Sequence, residues 1–109
     1  MEIKAINDIK VVSMGATFDA HVAKDIEAGL MKLIEEGARK IVCDMSATEY
    51  ISSAGLRVFL SIAKRLQKLN GKIVLCLLQP RVREVFEMAG FIQLFQIYSV
   101  QEEAIQALA

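Results

Sequence analysis

Ile41-Val42-Cys43-Asp44-Met45-Ser46-Ala47-Thr48-Glu49-Tyr50-Ile51-Ser52-Ser53-Ala54-Gly55-Leu56-Arg57 compresses a strand, a loop and a helix start into one short stretch. Ile41-Val42-Cys43 is a continuous apolar run closed by Asp44, the pattern of a buried parallel strand that reaches a polar rim. Ser46, Thr48 and Tyr50 mark a loop. Ser52-Ser53 then opens a helix that runs to Asn70-Gly71, a natural C-terminal stop. The same alternation extends in both directions. Upstream, Ile9–Met14 is β-branched and reads as a strand, paired with Ile3–Ile6 across Asn7-Asp8. Asp19 is a good N-cap for a helix in which Val22, Ile26, Leu30, Leu33 and Ile34 repeat at helical spacing until Gly37. Downstream, Ile73–Leu78 is a second buried strand, and Gln79-Pro80 starts a short helix that Gly90 stops. Phe91–Tyr98 holds a last strand and Val100–Leu108 a last helix. Strands alternating with helices predict an α/β domain, a sheet covered by helices.

Composition supports that reading and removes others. The chain has 109 residues, 54% of them hydrophobic and 24% charged, with one proline and zero formal net charge. That length suits one domain, and the apolar content argues against disorder. The longest apolar run, Ile73–Leu78, is far short of the roughly 18 residues a membrane span needs. The start, Met1-Glu2-Ile3-Lys4-Ala5, lacks a basic segment followed by an apolar core, so no secretory signal is expected and the address is cytoplasmic. Cys43 and Cys76 lie in apolar runs without a close cysteine or histidine, which reads as buried free thiols and not as a metal site.

Charge is unevenly spread. No Asp or Glu occurs from Tyr50 through Arg83, whereas seven Lys or Arg do. Such a stretch is either a solvated face or a surface for an acidic partner, nucleic acid or anionic lipid. Zero net charge and the scarcity of aromatic residues weigh against nucleic acid. Catalytic readings find little: the single His21 sits at a helix start, and the six glycines form no phosphate loop. No cofactor, metal or catalytic residue is expected.

The helix start carries the functional signal. Two serines there are ordinarily caps. Ala54 and Gly55, however, leave little side chain in the first turn, which makes room for another molecule to approach a serine closely, and a helix N-terminus favours a phosphate placed on either serine. At 100° per residue, Leu56, Phe59, Leu60, Ala63, Leu66 and Leu69 form an apolar stripe toward the sheet, opposite Arg57, Ser61, Lys64, Arg65 and Lys68. Val58 and Ile62 fall beyond the stripe. Either a neighbouring helix covers them, or they form an apolar patch rimmed by positive charge, as a protein-binding surface would have.

At these residues the sequence resembles the STAS family, the domain of anti-sigma-factor antagonists and of sulfate-transporter cytoplasmic tails. The resemblance covers nearly the whole chain: the strand-and-glycine opening through Gly15, Asp19-Ala20, Asp44-Met45-Ser46, Ile51–Leu56, and Met88-Ala89-Gly90-Phe91. It implies a single domain with a mostly parallel sheet of four to five strands and four packed helices. It also implies a non-enzymatic partner switch. The unmodified protein binds an anti-sigma factor that is also a serine kinase, freeing a sigma factor; phosphorylation of the antagonist loosens the complex, and a serine phosphatase resets it. Aligned on Gly55, the phosphoacceptor is Ser53. The family's preceding aspartate is replaced here by Ser52, so Ser52 stands as an alternative acceptor. An interaction module that is never phosphorylated, in a signalling scaffold or beside a membrane transporter, stands as an alternative function. The partner-binding candidates are Asp19, Asp44, Ser46, Ser52, Ala54, Gly55, Arg57, Val58 and Ile62. Neither nucleic acid nor membrane insertion is expected, and the chain is expected to be a monomer or weak dimer.

Overall fold

The first two strands form the expected hairpin. β1 (Glu2–Ile6) pairs antiparallel with β2 (Ile9–Ser13), and the turn is made at Asn7, whose φ of 56° is one that asparagine tolerates better than most residues. The structure is a computed structural model that describes residues 1–109 throughout. Beyond the hairpin come β3 (Thr17–Phe18), α1 (Ala20–Glu35), β4 (Lys40–Asp44), β5 (Tyr50–Ile51) and α2 (Ser53–Lys68). They are followed by β6 (Lys72–Cys76), α3 (Pro80–Met88), β7 (Ile97–Tyr98) and α4 (Gln101–Leu108).

The main sheet has five strands in the order β1-β2-β4-β6-β7, with β2, β4, β6 and β7 parallel and β1 antiparallel at one edge. Alternation along the strands divides the core. Val12, Ile41, Cys43, Ile73 and Leu75 join a large cluster that takes in the buried faces of α1, α2 and α3. Ile9, Val11, Val42, Val74 and Cys76 face the other way, where Ala104 and Leu108 of α4 cover them. The mostly parallel α/β sheet with four helices is therefore as expected; the three-against-one placement of the helices is information the sequence pattern did not carry.

Two strand boundaries differ from the sequence reading. β6 ends at Cys76, before the expected Leu78, because Leu77 takes a left-handed φ of 59° that no strand can continue through. The last strand lies within Phe91–Tyr98 but is only Ile97–Tyr98, because Phe91–Phe95 instead folds into turns that deliver Phe95 to the core.

Both cysteines are free and fully buried. Burial pushes the Cys76 thiol up to about 12, with the nearby Asp44 carboxylate adding to the rise. Burial raises Cys43 further still, helped by Cys76 and Asp44. A thiol that stays protonated is a poor nucleophile. A disulfide-exchange reagent at about pH 8 should therefore leave both thiols unlabelled in the native protein and label both in denaturant. The sign for stability follows from the same shift. Unfolded thiols ionise from about pH 8.5 while the folded ones hold their protons, so stability falls as pH rises above that value.

Candidate functional site

A second, two-stranded sheet assembles the rim. β3 and β5 pair in parallel, Thr17 with Tyr50 and Phe18 with Ile51. Two-residue strands have no periodicity to detect, so this pairing is absent from the sequence reading. Its consequence is large. β3 runs directly into α1 through Asp19, and β5 runs into α2 through Ser52. Parallel pairing therefore brings the two helix N-termini side by side, beside the loop that follows β4.

Backbone and side-chain bonds fix this arrangement. Glu49 N and Ser52 N donate to the carbonyls of Ala16 (2.8 Å) and Phe18 (2.9 Å), and the buried Thr48 Oγ1 donates to Gly15 O at 2.8 Å. Asp19 is the N-cap expected of it: its Oδ1 accepts from His21 N at 3.0 Å and Val22 N at 3.3 Å. Asp44 is 8% exposed and committed to the fold, Oδ1 accepting from Ser46 N (2.9 Å) and Oδ2 from Gln101 Nε2 (2.7 Å). Gln79 Nε2 donates to Ser46 O at 2.8 Å, which ties the loop to the start of α3. Thr48, Gln79 and Gln101 are thus rim residues that the sequence reading missed. Their partners lie 33 to 57 positions away, and two of the three are main-chain carbonyls, so no local motif marks them.

The two serines have separate surroundings. Ser52 is the half-buried N-cap of α2; its Oγ accepts from Gly55 N at 3.3 Å and donates to Phe18 O at 3.4 Å. Ser53 is exposed in the first turn, and its hydroxyl makes no hydrogen bond. The Ser53 and Ala54 amides also lack acceptors, so the positive end of the α2 dipole opens beside that hydroxyl. Arg57, one turn further, is exposed and unpaired; the two ion pairs of the molecule are Lys40–Asp8 at 3.1 Å and Arg83–Glu87 at 3.4 Å.

Three expectations are corrected here. Val58 (5% exposed) and Ile62 (0%) are core residues in one cluster with Leu30, Leu33 and Ile34 of α1, which packs against α2. Of the two alternatives, covering by a neighbouring helix holds and the surface patch does not, so they are not exposed for partner binding. α2 is covered by the sheet on one side and α1 on another, and its buried face is turned by roughly 40° from the expected stripe. Leu60, placed inside that stripe, is consequently left half-exposed and outside both core clusters. Gly55, read as room for another molecule, is buried and serves the fold. A Cβ there would meet Phe18 O and Ile51 Cγ1 at 2.9 Å each. Ala54 is half-buried and packs against the core. The exposed members of the expected site are Ser46, Ser53 and Arg57.

These features define a small α/β domain whose parallel strands, two helix N-termini and the free hydroxyl of Ser53 meet at a single rim. The chain belongs to the STAS family: the sequence profile described as "STAS domain" matches residues 1–104. Several similar proteins are named as antagonists of anti-sigma factors. BtrV of Bordetella bronchiseptica, named as an anti-sigma factor antagonist, is 39% identical over 102 residues, covering 94% of this chain and 88% of its own. The anti-sigma-B factor antagonist of Bacillus subtilis is 29% identical over 100 residues, covering 92% and 90%. The fold agrees with solved structures. An antagonist-family protein from Thermotoga maritima superposes with a TM-score of 0.91 at 21% identity, over 98% of this chain and 92% of that one. The unphosphorylated antagonist SpoIIAA superposes with a TM-score of 0.85 at 23% identity, over 97% and 93%. No helix is long and apolar enough to cross a membrane.

Proposed function

We propose that this STAS domain is a cytoplasmic, non-enzymatic anti-sigma factor antagonist switched by phosphorylation of Ser53. Unmodified, it binds an anti-sigma factor that is also a serine kinase and so releases a sigma factor; a serine phosphatase restores it. The observation that carries the reading is the contrast between the two serines. Ser53 presents a free, exposed hydroxyl, whereas Ser52 is engaged as the cap between Gly55 N and Phe18 O. That contrast favours Ser53 as the acceptor, with Ser46, Asp19 and Arg57 around it on the same rim. The names carried by the relatives that match along the chain support the partner class.

The chemistry of the switch is local. A phosphate adds about −1.5 to −2 charges and three acceptor oxygens. The free Ser53 and Ala54 amides suit it in the isolated protein, but inside a close interface its bulk and desolvation oppose binding. A thousandfold weakening needs only about 4 kcal/mol. Nothing in the fold has to rearrange.

The test uses the purified anti-sigma serine kinases of the source genome, titrated one at a time. Ser53→Ala should bind as the wild type does, and Ser53→Asp at least about a hundredfold more weakly, equivalent to about 2.7 kcal/mol. Mass spectrometry after incubation with ATP should place the phosphate on Ser53. Equal affinities for the two variants would exclude the phosphoswitch and leave an unmodified binding module. Phosphate on Ser52 would move the site.

A further inference from the structure

The burial pattern of α2 exposes something that the site above does not use. With Val58, Ile62 and Leu66 turned inward, the outer face of the helix carries Ser53, Arg57, Leu60, Lys64 and Lys68 within roughly 80° of arc. The face is about 22 Å long at 1.5 Å per residue. Arg57, Lys64 and Lys68 are all exposed, and none has a carboxylate partner. No acidic residue occurs anywhere from Tyr50 through Arg83 to neutralise them. Leu60, half-exposed and outside both core clusters, lies along one edge of this strip, halfway down its length and next to Arg57 and Lys64.

We infer that the outer face of α2 is a docking surface for an acidic protein surface, the acidic flank of the partner that reads Ser53. The inference rests on the proposed function and adds the charge and extent of the contact. Three observations select a protein over other anions. An apolar side chain flanked by Arg57 and Lys64 is suited to a protein interface, where apolar contact and charge lie side by side. The strip exposes no aromatic ring on which a base could stack. The chain's formal net charge is zero, so the strip is a local feature and not part of a polyanion-binding field. A single half-buried leucine is also too little to insert into a bilayer.

The same placement links the strip to the switch. Ser53 lies on this face, so phosphorylation adds about two negative charges to a surface that holds an acidic partner. Repulsion from that partner then adds to the steric effect. Arg57, one turn from Ser53, is near enough in sequence to be drawn to the new phosphate and withdrawn from the partner.

The test is a charge-reversal titration with the same purified kinases. Lys64→Glu/Lys68→Glu, two exposed changes one turn apart, should weaken binding at least about thirtyfold and chiefly by slowing association. Lys64→Gln/Lys68→Gln, which retains helix-forming side chains, should lie between that variant and the wild type. Raising NaCl from about 50 to 500 mM should slow wild-type association about tenfold and leave the reversed variant nearly unaffected. A kinase that binds, is lost on Ser53→Asp, and binds the reversed variant within about threefold of wild type overturns the docking surface but leaves the switch intact. If no kinase binds the wild type, the proposed function fails. Phosphatidylserine–phosphatidylcholine vesicles and a short DNA duplex are then titrated; binding lost on reversal assigns the strip to lipid or nucleic acid, and no binding removes it as a surface. Both of those results overturn the inference.

Discussion

Phe59→Ala should lower stability by about 3–5 kcal/mol, the largest loss expected from a single core truncation here. Phe59 is fully buried, and its ring lies 5.3 Å from Phe18, 6.2 Å from Phe86 and 6.3 Å from Phe95. Those partners come from β3, α3 and the turn before β7, so one side chain joins α2 to three other parts of the fold. Removing it leaves a cavity that elements on several sides would have to move to fill. The measurement is urea unfolding, in which the midpoint should fall with an unchanged slope. By the usual scaling the melting temperature should drop by roughly 15 °C or more. A loss below about 1 kcal/mol would mean that the aromatic cluster closes over the gap and does not hold these elements in place.

Gly55→Val should cost about 2–3 kcal/mol through overpacking, and should loosen the rim in particular. A glycine in the first turn of a helix is normally a small liability relative to alanine. Here the space above it is occupied by Phe18 O and Ile51 Cγ1, both 2.9 Å from where a Cβ would stand. Phe18 O is also the acceptor for Ser52 N, so pushing it away strains the bond that holds the α2 cap against β3. Thermal unfolding should show a loss of roughly 10 °C. Hydrogen exchange should show the Ser52 amide losing protection more than amides of β4. Gly55→Ala separates two opposing terms, since alanine gains helix propensity while its methyl meets the same main-chain oxygen. A stabilised Gly55→Ala would show that the Phe18 carbonyl yields easily.

How much of this was legible depended on the range of the interaction. Apolar runs bounded by turn residues located β4 and β6, because a strand buried on both faces must be apolar throughout. The Asp19 cap, the serine pair that opens α2 and the proline opening of α3 were equally visible, since the first turn of a helix has free amides whatever surrounds it. The resemblance pointed to Ser53, with Ser52 as the alternative. What the fold adds is that Ser52 is engaged by the Phe18 carbonyl, 34 positions away in the chain, while the Ser53 hydroxyl is free.

The α2 face shows the limit most clearly. Periodicity identified an amphipathic helix but put Leu60 inside its apolar stripe and Val58 and Ile62 outside it, because a periodic pattern records how apolar a face is and not how many neighbours cover it. Packing of α1 beside α2 buried Val58 and Ile62 and left Leu60 beside the lysines. The alternation of strands and helices, the caps and the acid-free stretch Tyr50–Arg83 were determined by the sequence by itself, since each depends on residue type and near neighbours. The pairing of β3 with β5, the buried Asp44 held by Gln101, and which side of α2 is covered by α1 were decided only by the tertiary structure. Those features come from chain segments brought together by burial, and contacts of that kind leave no local pattern.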